Sequence, residues 1–206
     1  MEALITLFHQ FSLYMNSGGA LIMYPLFILV FVLWYALGYR YHTIKRGTKK
    51  SPRVLVRKFA SGKRTEPRGF IDAAVVDALK IKEESTEPKQ LRKLIDDAFY
   101  WYRKDLTRYK NLVKTVVVIA PLIGLLGTVI GMIETFDSLA SMTLFSQSGG
   151  IAGGISQALF TTQLGLVVAV PGLVIGRLLD KKASNMELDL DQITDILCSE
   201  GNLNEI

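Results

Sequence analysis

Residues 153–176 read GGISQALFTTQLGLVVAVPGLVIG, and from Leu164 to Gly176 no polar side chain interrupts the run. That half alone looks like part of a membrane helix. The half before it carries Ser156, Gln157, Thr161, Thr162 and Gln163, hydroxyls and amides at a depth where water is scarce. Each such group must find a hydrogen-bond partner or carry a desolvation penalty of about 2 kcal/mol or more. The spacing of the small residues suggests where the partners lie. Gly154, Ala158, Thr162, Gly165, Ala169, Gly172 and Gly176 fall three or four residues apart and share one narrow helical face, with Thr161 inside the same arc. Earlier in the chain, Ala120, Gly124, Gly127, Gly131 and Thr135 form a similar stripe, with Thr128 adjacent and Ser138 continuing it. Lipid supplies no hydrophobic force between helices, so small faces of this kind let backbones approach until dispersion and hydrogen bonds hold them.

The rest of the chain places these stripes in a membrane. Of its 206 residues half are hydrophobic, the formal charge is +5, and the apolar residues are gathered in blocks. Three blocks are long enough to span: 20–39, 112–140 and 154–179. About 20 apolar residues cross a hydrocarbon core of about 30 Å, so the longer two must tilt or project into water. The expected class is an all-α polytopic membrane protein with long helical extensions. Residues 1–19 carry Glu2 and no Lys or Arg, unlike a cleaved signal. Leu4, Leu7, Phe8, Phe11 and Met15 there share a face that suits an interfacial helix, ended by Asn16, Ser17, Gly18 and Gly19.

Charge sets the expected orientation. Between Arg40 and Arg68 stand eleven Lys or Arg and one acid, Glu66. By the positive-inside rule the segment 40–111 is cytoplasmic, the N-terminus and the uncharged loop 141–153 lie outside, and the tail 180–206 returns to the cytoplasm behind Arg177, Lys181 and Lys182. Anionic lipid and topology account for the basic stretch without nucleic acid. The cytoplasmic segment reads as helical: a short helix holds Phe70, Ala73, Ala74, Asp77 and Ala78. Another starts near Pro88, after the candidate caps Ser85 and Thr86, and buries Leu91, Leu94, Ile95, Ala98, Trp101 and Tyr102. With no breaker before Pro121, the simplest expectation is one helix rising into the second span. The tail, with Leu188, Ile193 and Leu197 among acids, extends the third span as a helix.

Function is expected at mid-membrane. Thr162 lies about nine residues, roughly 13 Å, inside its span, and Thr128 lies at a comparable depth in the neighbouring one. With Gln157, Thr161 and Gln163 these side chains exceed what one helix pair consumes, and a polar ring lining a central pore accounts for them. Glu134 and Asp137 sit near the outer surface and Lys114 can snorkel to the inner one. Threonine and glutamine can relay a proton but hold none at ordinary pH, so if this chain moves protons the titrating carboxylate must come from another chain. An enzyme is not expected: no nucleophile–base set, metal-ligand cluster or phosphate loop is present, His9 and His42 are isolated, and Gly149, Gly150 and Gly153 suit turns. Nor is any cofactor implied. The lone Cys198 excludes an internal disulfide.

PLIGLLGTVIGMIETF at 121–136, followed by the stretch at 153–176, resembles the MotA/TolQ/ExbB proton-channel family. Three spans rather than four point to its ExbB/TolQ branch, and the match to ExbB looks the closer. The resemblance implies a homo-oligomeric ring, usually a pentamer, around single spans of an ExbD- or TolR-like partner carrying a membrane aspartate. It implies bacterial inner-membrane residence and proton-driven work on a TonB-like protein that energises outer-membrane uptake. Thr128 and Thr162 correspond to the family's pore threonines. Gln157 stands where many relatives carry glutamate, leaving Glu134 as the acid at the outer mouth. A TolQ-like or motility stator and a non-conducting scaffold are the alternatives.

Overall fold

The computed structural model describes residues 19–45, 47, 50–62, 66–67, 69–84, 88–140 and 148–199. The expected interfacial helix at 1–19, apart from Gly19, lies outside these residues, as do Ser85, Thr86 and most of the loop at 141–153. Among the described residues the regular structure is entirely helical. Six helices follow one another: α1 (Ala20–Thr43), α2 (Pro52–Ala60), α3 (Phe70–Glu84), α4 (Pro88–Thr107), α5 (Lys110–Ala140) and α6 (Ser148–Ser199). Three carry windows apolar enough to cross a membrane, with mean hydropathy 2.4, 2.6 and 2.0 along α1, α5 and α6. Only 33%, 28% and 33% of those windows lie buried within the chain. The remaining apolar surface needs lipid or other chains to cover it.

The chain divides into two compact units. The apolar unit takes in the described residues up to Leu37 together with Leu112–Gly176, that is, most of α1 and α5 and the first half of α6, with Lys114, Glu134 and Asp137 its charged residues among those described. Each of these helices holds an internal proline, Pro25, Pro121 or Pro171. In water each would be costly, but membrane helices tolerate proline where neighbouring groups re-satisfy the freed carbonyl. α5 buries Val113, Val116, Ala120, Gly124, Gly127, Gly131 and Thr135, so its hidden face is the small-residue stripe continued by two valines.

The charged unit comprises Gly38–Asn111 and Arg177 onward. Here α2 packs on α3 and α3 on α4. Pro52 opens α2 behind Ser51, whose extended backbone (φ −65°, ψ 152°) delivers the chain into the first turn. In α6 the buried residues Leu179, Ala183, Met186, Leu190, Ile193 and Leu197 recur at alternating intervals of four and three. That repeat is the seam helices use to interlock side chains. Leu188, expected on this face, is exposed instead, since it falls between the seam positions Met186 and Leu190. On α4 the seam is Leu91, Ile95, Phe99 and Leu106, whereas Leu94 and Trp101 are exposed. The apolar face is therefore rotated from its sequence expectation, with Phe99 at its centre.

α4 and α5 are not one helix. The chain breaks at Arg108 and Tyr109, where Tyr109 adopts φ 58°, a left-handed conformation unusual for a side chain of its size. Aromatic and cationic contacts hold the break. The Tyr109 ring meets Tyr39 edge-on at 5.1 Å, and the Arg108 guanidinium stacks over both rings at 5.5 and 5.1 Å. Arg108 Nη1 also donates to the Tyr39 hydroxyl at 3.0 Å. Before it, the Thr107 hydroxyl closes the last turn of α4 on the carbonyls of Arg103 and Lys104, both at 3.1 Å.

Polar contacts within the charged unit include a buried one at the end of α1. Arg40, 2% exposed, donates from Nη2 to Asp180 Oδ1 at 2.8 Å, and Asp180 is 24% exposed. Arg103 bonds Asp191 at 2.6 Å, while the more exposed Arg92 reaches Asp195 at 3.4 Å. On α4 the Tyr102 hydroxyl donates to Asp77 Oδ2 at 2.6 Å. Burial first, then this hydrogen bond and the Asp77 charge, push the Tyr102 hydroxyl above its ordinary value of 10.

Two outcomes follow for purified protein. Asp180→Asn leaves a guanidinium buried without its carboxylate and should lower unfolding stability by about 3 kcal/mol, while Arg40→Met should cost less. Denaturant titration of the two variants distinguishes them. A tyrosine whose folded proton affinity is raised contributes stability that is complete below pH 10 and fades above it. Tyr102→Phe should therefore flatten the loss of stability between pH 10 and 12, followed by circular dichroism.

Candidate functional site: a polar layer between two apolar helices

The site begins with absent side-chain atoms. A methyl placed on Gly124 of α5 would stand 2.9 Å from the Thr161 carbonyl oxygen and 3.2 Å from Thr162 Cα. One placed on Gly165 of α6 would stand 2.8 Å from the Ala120 carbonyl oxygen and 3.3 Å from Pro121 Cα. On Gly131 it would meet the Gly154 carbonyl oxygen at 2.7 Å and Ala158 N at 3.0 Å. In each case the obstructing atoms are backbone, which no rotamer change can move aside. The helices approach main chain to main chain, which a larger residue would prevent.

Gly127 plays a different part. A Cβ there would fall 2.5 Å from Thr161 Cβ and 2.7 Å from Thr161 Cγ2, so Gly127 is the hole that receives the Thr161 side chain. Thr161 is consequently fully buried. Its hydroxyl is shared between the Ala158 carbonyl on its own helix, at 3.0 Å, and the Gly124 carbonyl across the interface, at 3.3 Å. The Thr162 hydroxyl makes the same pair of contacts at 3.3 and 3.4 Å and is only half-buried. Two hydroxyls thus converge on one carbonyl oxygen of α5. Contacts this long are near the weak limit of hydrogen bonding and exchange readily with a better partner. Toward the end of α5, Thr135 donates to its own Gly131 carbonyl at 2.8 Å and packs against Gly154.

The sequence-selected residues are not all gathered here. Thr128 lies one turn along α5 from Gly124, half-buried, its hydroxyl turned back to the Leu125 carbonyl at 2.7 Å. Glu134 is exposed, and its carbonyl accepts from Ser138 at 2.8 Å. Gln163 is exposed beside the layer. Gln157 lies against the start of α1, where a methyl on Gly19 would stand 2.5 Å from its Nε2. Gly19 has φ 75° as well, so both the turn and the close approach require glycine. Ala169 and Gly172 are buried, the latter facing Leu33 of α1 and Val117 of α5. Sequence reading missed the Arg40–Asp180 pair. Arg40 was legible only as one of many basic residues, and nothing local singles out Asp180.

The layer has hydrogen-bonding capacity and no charge. The apolar lengths 20–39, 115–133 and 148–176 contain no Asp, Glu, Lys, Arg or His. Among the described residues no cluster could hold a metal ion. The arrangement can orient water or a donor, but it cannot store a proton on these segments.

Comparison with known proteins agrees with this architecture. The profile of the MotA/TolQ/ExbB proton channel family matches residues 64–192. Biopolymer transport protein exbB1 of Vibrio cholerae is 34% identical over 112 residues, 51% of this chain and 48% of that protein. Biopolymer transport protein ExbB of Aquifex aeolicus is 36% identical over 90 residues, 44% of this chain and 60% of its own length. An ExbB-like biopolymer transport protein of Synechocystis is 36% identical over 92 residues, 44% of each chain. The chain thus spans about half the length of the curated relatives it matches.

The glycine contacts give a sharp comparison. Gly124→Ala and Gly165→Ala should each destabilise the protein by about 1–3 kcal/mol, because only backbone separation relieves the clash. Gly38→Ala, with nothing within 4 Å of the new methyl, should be neutral or stabilising by about 0.5–1 kcal/mol. Thermal unfolding in detergent reads both. With α1, α5 and α6 apolar enough to span a bilayer, two of them joined through a charge-free hydroxyl layer, and the family profile covering 64–192, the chain belongs to the MotA/TolQ/ExbB proton channel family.

Proposed function

We propose that this protein is a proton-conducting stator subunit of an energised transport system in the bacterial inner membrane. Copies of the chain would form a ring, pentameric by family resemblance, whose hydroxyl layers face a central axis. A single-span partner of the ExbD or TolR kind would place its membrane carboxylate on that axis and accept the proton. The resulting motion would act on a TonB-like protein and so energise uptake across an outer membrane. The N-terminus would lie in the periplasm and the tail in the cytoplasm.

One observation carries this reading. Thr161 and Thr162 point two hydroxyls at a single carbonyl, within the lengths 115–133 and 148–176 that hold no charge. Thr161 is locked into the Gly127 hole and serves the helix pair. Thr162 is half-buried on long bonds, which leaves its hydroxyl able to turn toward an incoming carboxylate or water. Thr128, a turn from Gly124, extends the layer on α5. Glu134 would meet protons at the outer mouth. A second reading, a non-conducting scaffold, draws on the same hydrogen bonds, since they are satisfied inside one helix pair.

Proton flux separates the two. The complex is purified from native membranes, reconstituted into liposomes and followed with an internal pH dye. Thr162→Val and Thr128→Val should each lower flux by about tenfold, equivalent to roughly 1.4 kcal/mol on the barrier, with assembly intact. Thr161→Val should instead loosen the assembly. Unchanged flux in Thr128→Val, Thr162→Val and the double variant would overturn the pore role.

A further inference from the structure

Beyond the proton layer, a separate cavity of about 370 Å³ lies in the charged unit between the end of α1 and the second half of α6. Tyr41, Lys45, Lys182 and Asn185 supply its polar lining, and the buried Ile44 and Met186 its apolar one. No acid lines it. Among the described residues neither lysine forms an ion pair. The acid closest to Lys182 in sequence along α6, Asp180, is already engaged by Arg40 at 2.8 Å. The cavity is therefore a concave site with two cations, two further polar groups and an apolar wall, which is the chemistry of an anionic phosphodiester carrying hydrocarbon.

Its place along the chain identifies the source of that anion. Tyr41 follows the apolar length of α1, which ends at Tyr39, and Lys182 follows that of α6, which ends at Gly176. The two cations, Lys45 and Lys182, each stand six residues past those ends, about 9 Å of helical rise, from which a lysine side chain can reach back to the headgroups. We infer that this cavity holds the headgroup of an anionic phospholipid of the cytoplasmic leaflet, with Lys45 and Lys182 on its phosphate. The leaflet assignment rests on the topology proposed above; the choice of headgroup does not.

The test uses the full chain in neutral detergent, mixed with phosphatidylglycerol or with phosphatidylcholine and read by native mass spectrometry. Lys45→Gln/Lys182→Gln should lower phosphatidylglycerol retention about tenfold and leave phosphatidylcholine retention unchanged. Lys80→Gln/Lys93→Gln, which removes two exposed lysines elsewhere in the same unit, should change neither. Equal retention in wild type and the cavity variant would overturn the site, as would an equal loss in the control variant. Displacement of the lipid by millimolar inorganic phosphate would overturn the lipid as its source. The leaflet is read separately, by labelling Ser61→Cys in a Cys198→Ser background with an impermeant maleimide. Labelling from the cytoplasmic side alone supports it. Labelling from the outside would overturn the leaflet assignment and the topology, while the retention data stand on their own.

Discussion

Everything in the apolar unit depends on how near one peptide backbone can come to another. Water is absent from the medium that holds these helices, so no apolar surface gains by hiding. Cohesion comes from dispersion between closely approached main chains and from hydroxyls that reach across the gap. Gly124, Gly131 and Gly165 permit the approach, and the shared Gly124 carbonyl gives the crossing a polar centre. Each interhelical hydroxyl bond is worth only about 0.6 kcal/mol. Its larger effect is on register, since the two threonines reach Gly124 only when the helices are in phase.

Much of this was legible from spacing alone, for a definite reason. A lipid-embedded helix leaves few ways to use a row of small residues, so a row at helical intervals points to a contact face. Ala120, Gly124, Gly127, Gly131 and Thr135 all lie on the face that α5 buries. The roles of Thr161 and Thr162 were not separable by spacing. Adjacent residues differ by about 100° around the axis, and only the position of Gly127 on the facing helix decides which one is locked in. The break at Tyr109 was hidden as well. It involves neither glycine nor proline, and the ring and guanidinium contacts that sustain it include Tyr39, far away in sequence. The Arg40–Asp180 pair joins residues 140 positions apart, a pairing that no local pattern encodes.

The charged unit is organised on ordinary aqueous terms. A seam of large apolar side chains runs down α6 from Leu179 to Leu197, and ion pairs such as Arg103–Asp191 decorate its margin. One continuous helix therefore meets two kinds of neighbour in succession. In its first half, small residues win because they let backbones touch. In its second half, bulky ones win because they displace water. The exchange of rules falls near Gly176 and Leu179, where the composition changes from uncharged to charged within a few residues.

The unbroken course of α6 from Ser148 to Ser199 has an evolutionary consequence. In a continuous helix, inserting or deleting one residue turns everything beyond it by about 100°. A one-residue insertion or deletion inside the seam, between Leu179 and Leu190, would turn Leu190, Ile193 and Leu197 away from the face that Leu179 buries. The α4–α5 connection is different, because the ladder is already interrupted at Tyr109 and a change of length there need not propagate. Length variation among descendants of this chain should thus collect on one arm of the molecule, while the other drifts by substitution alone.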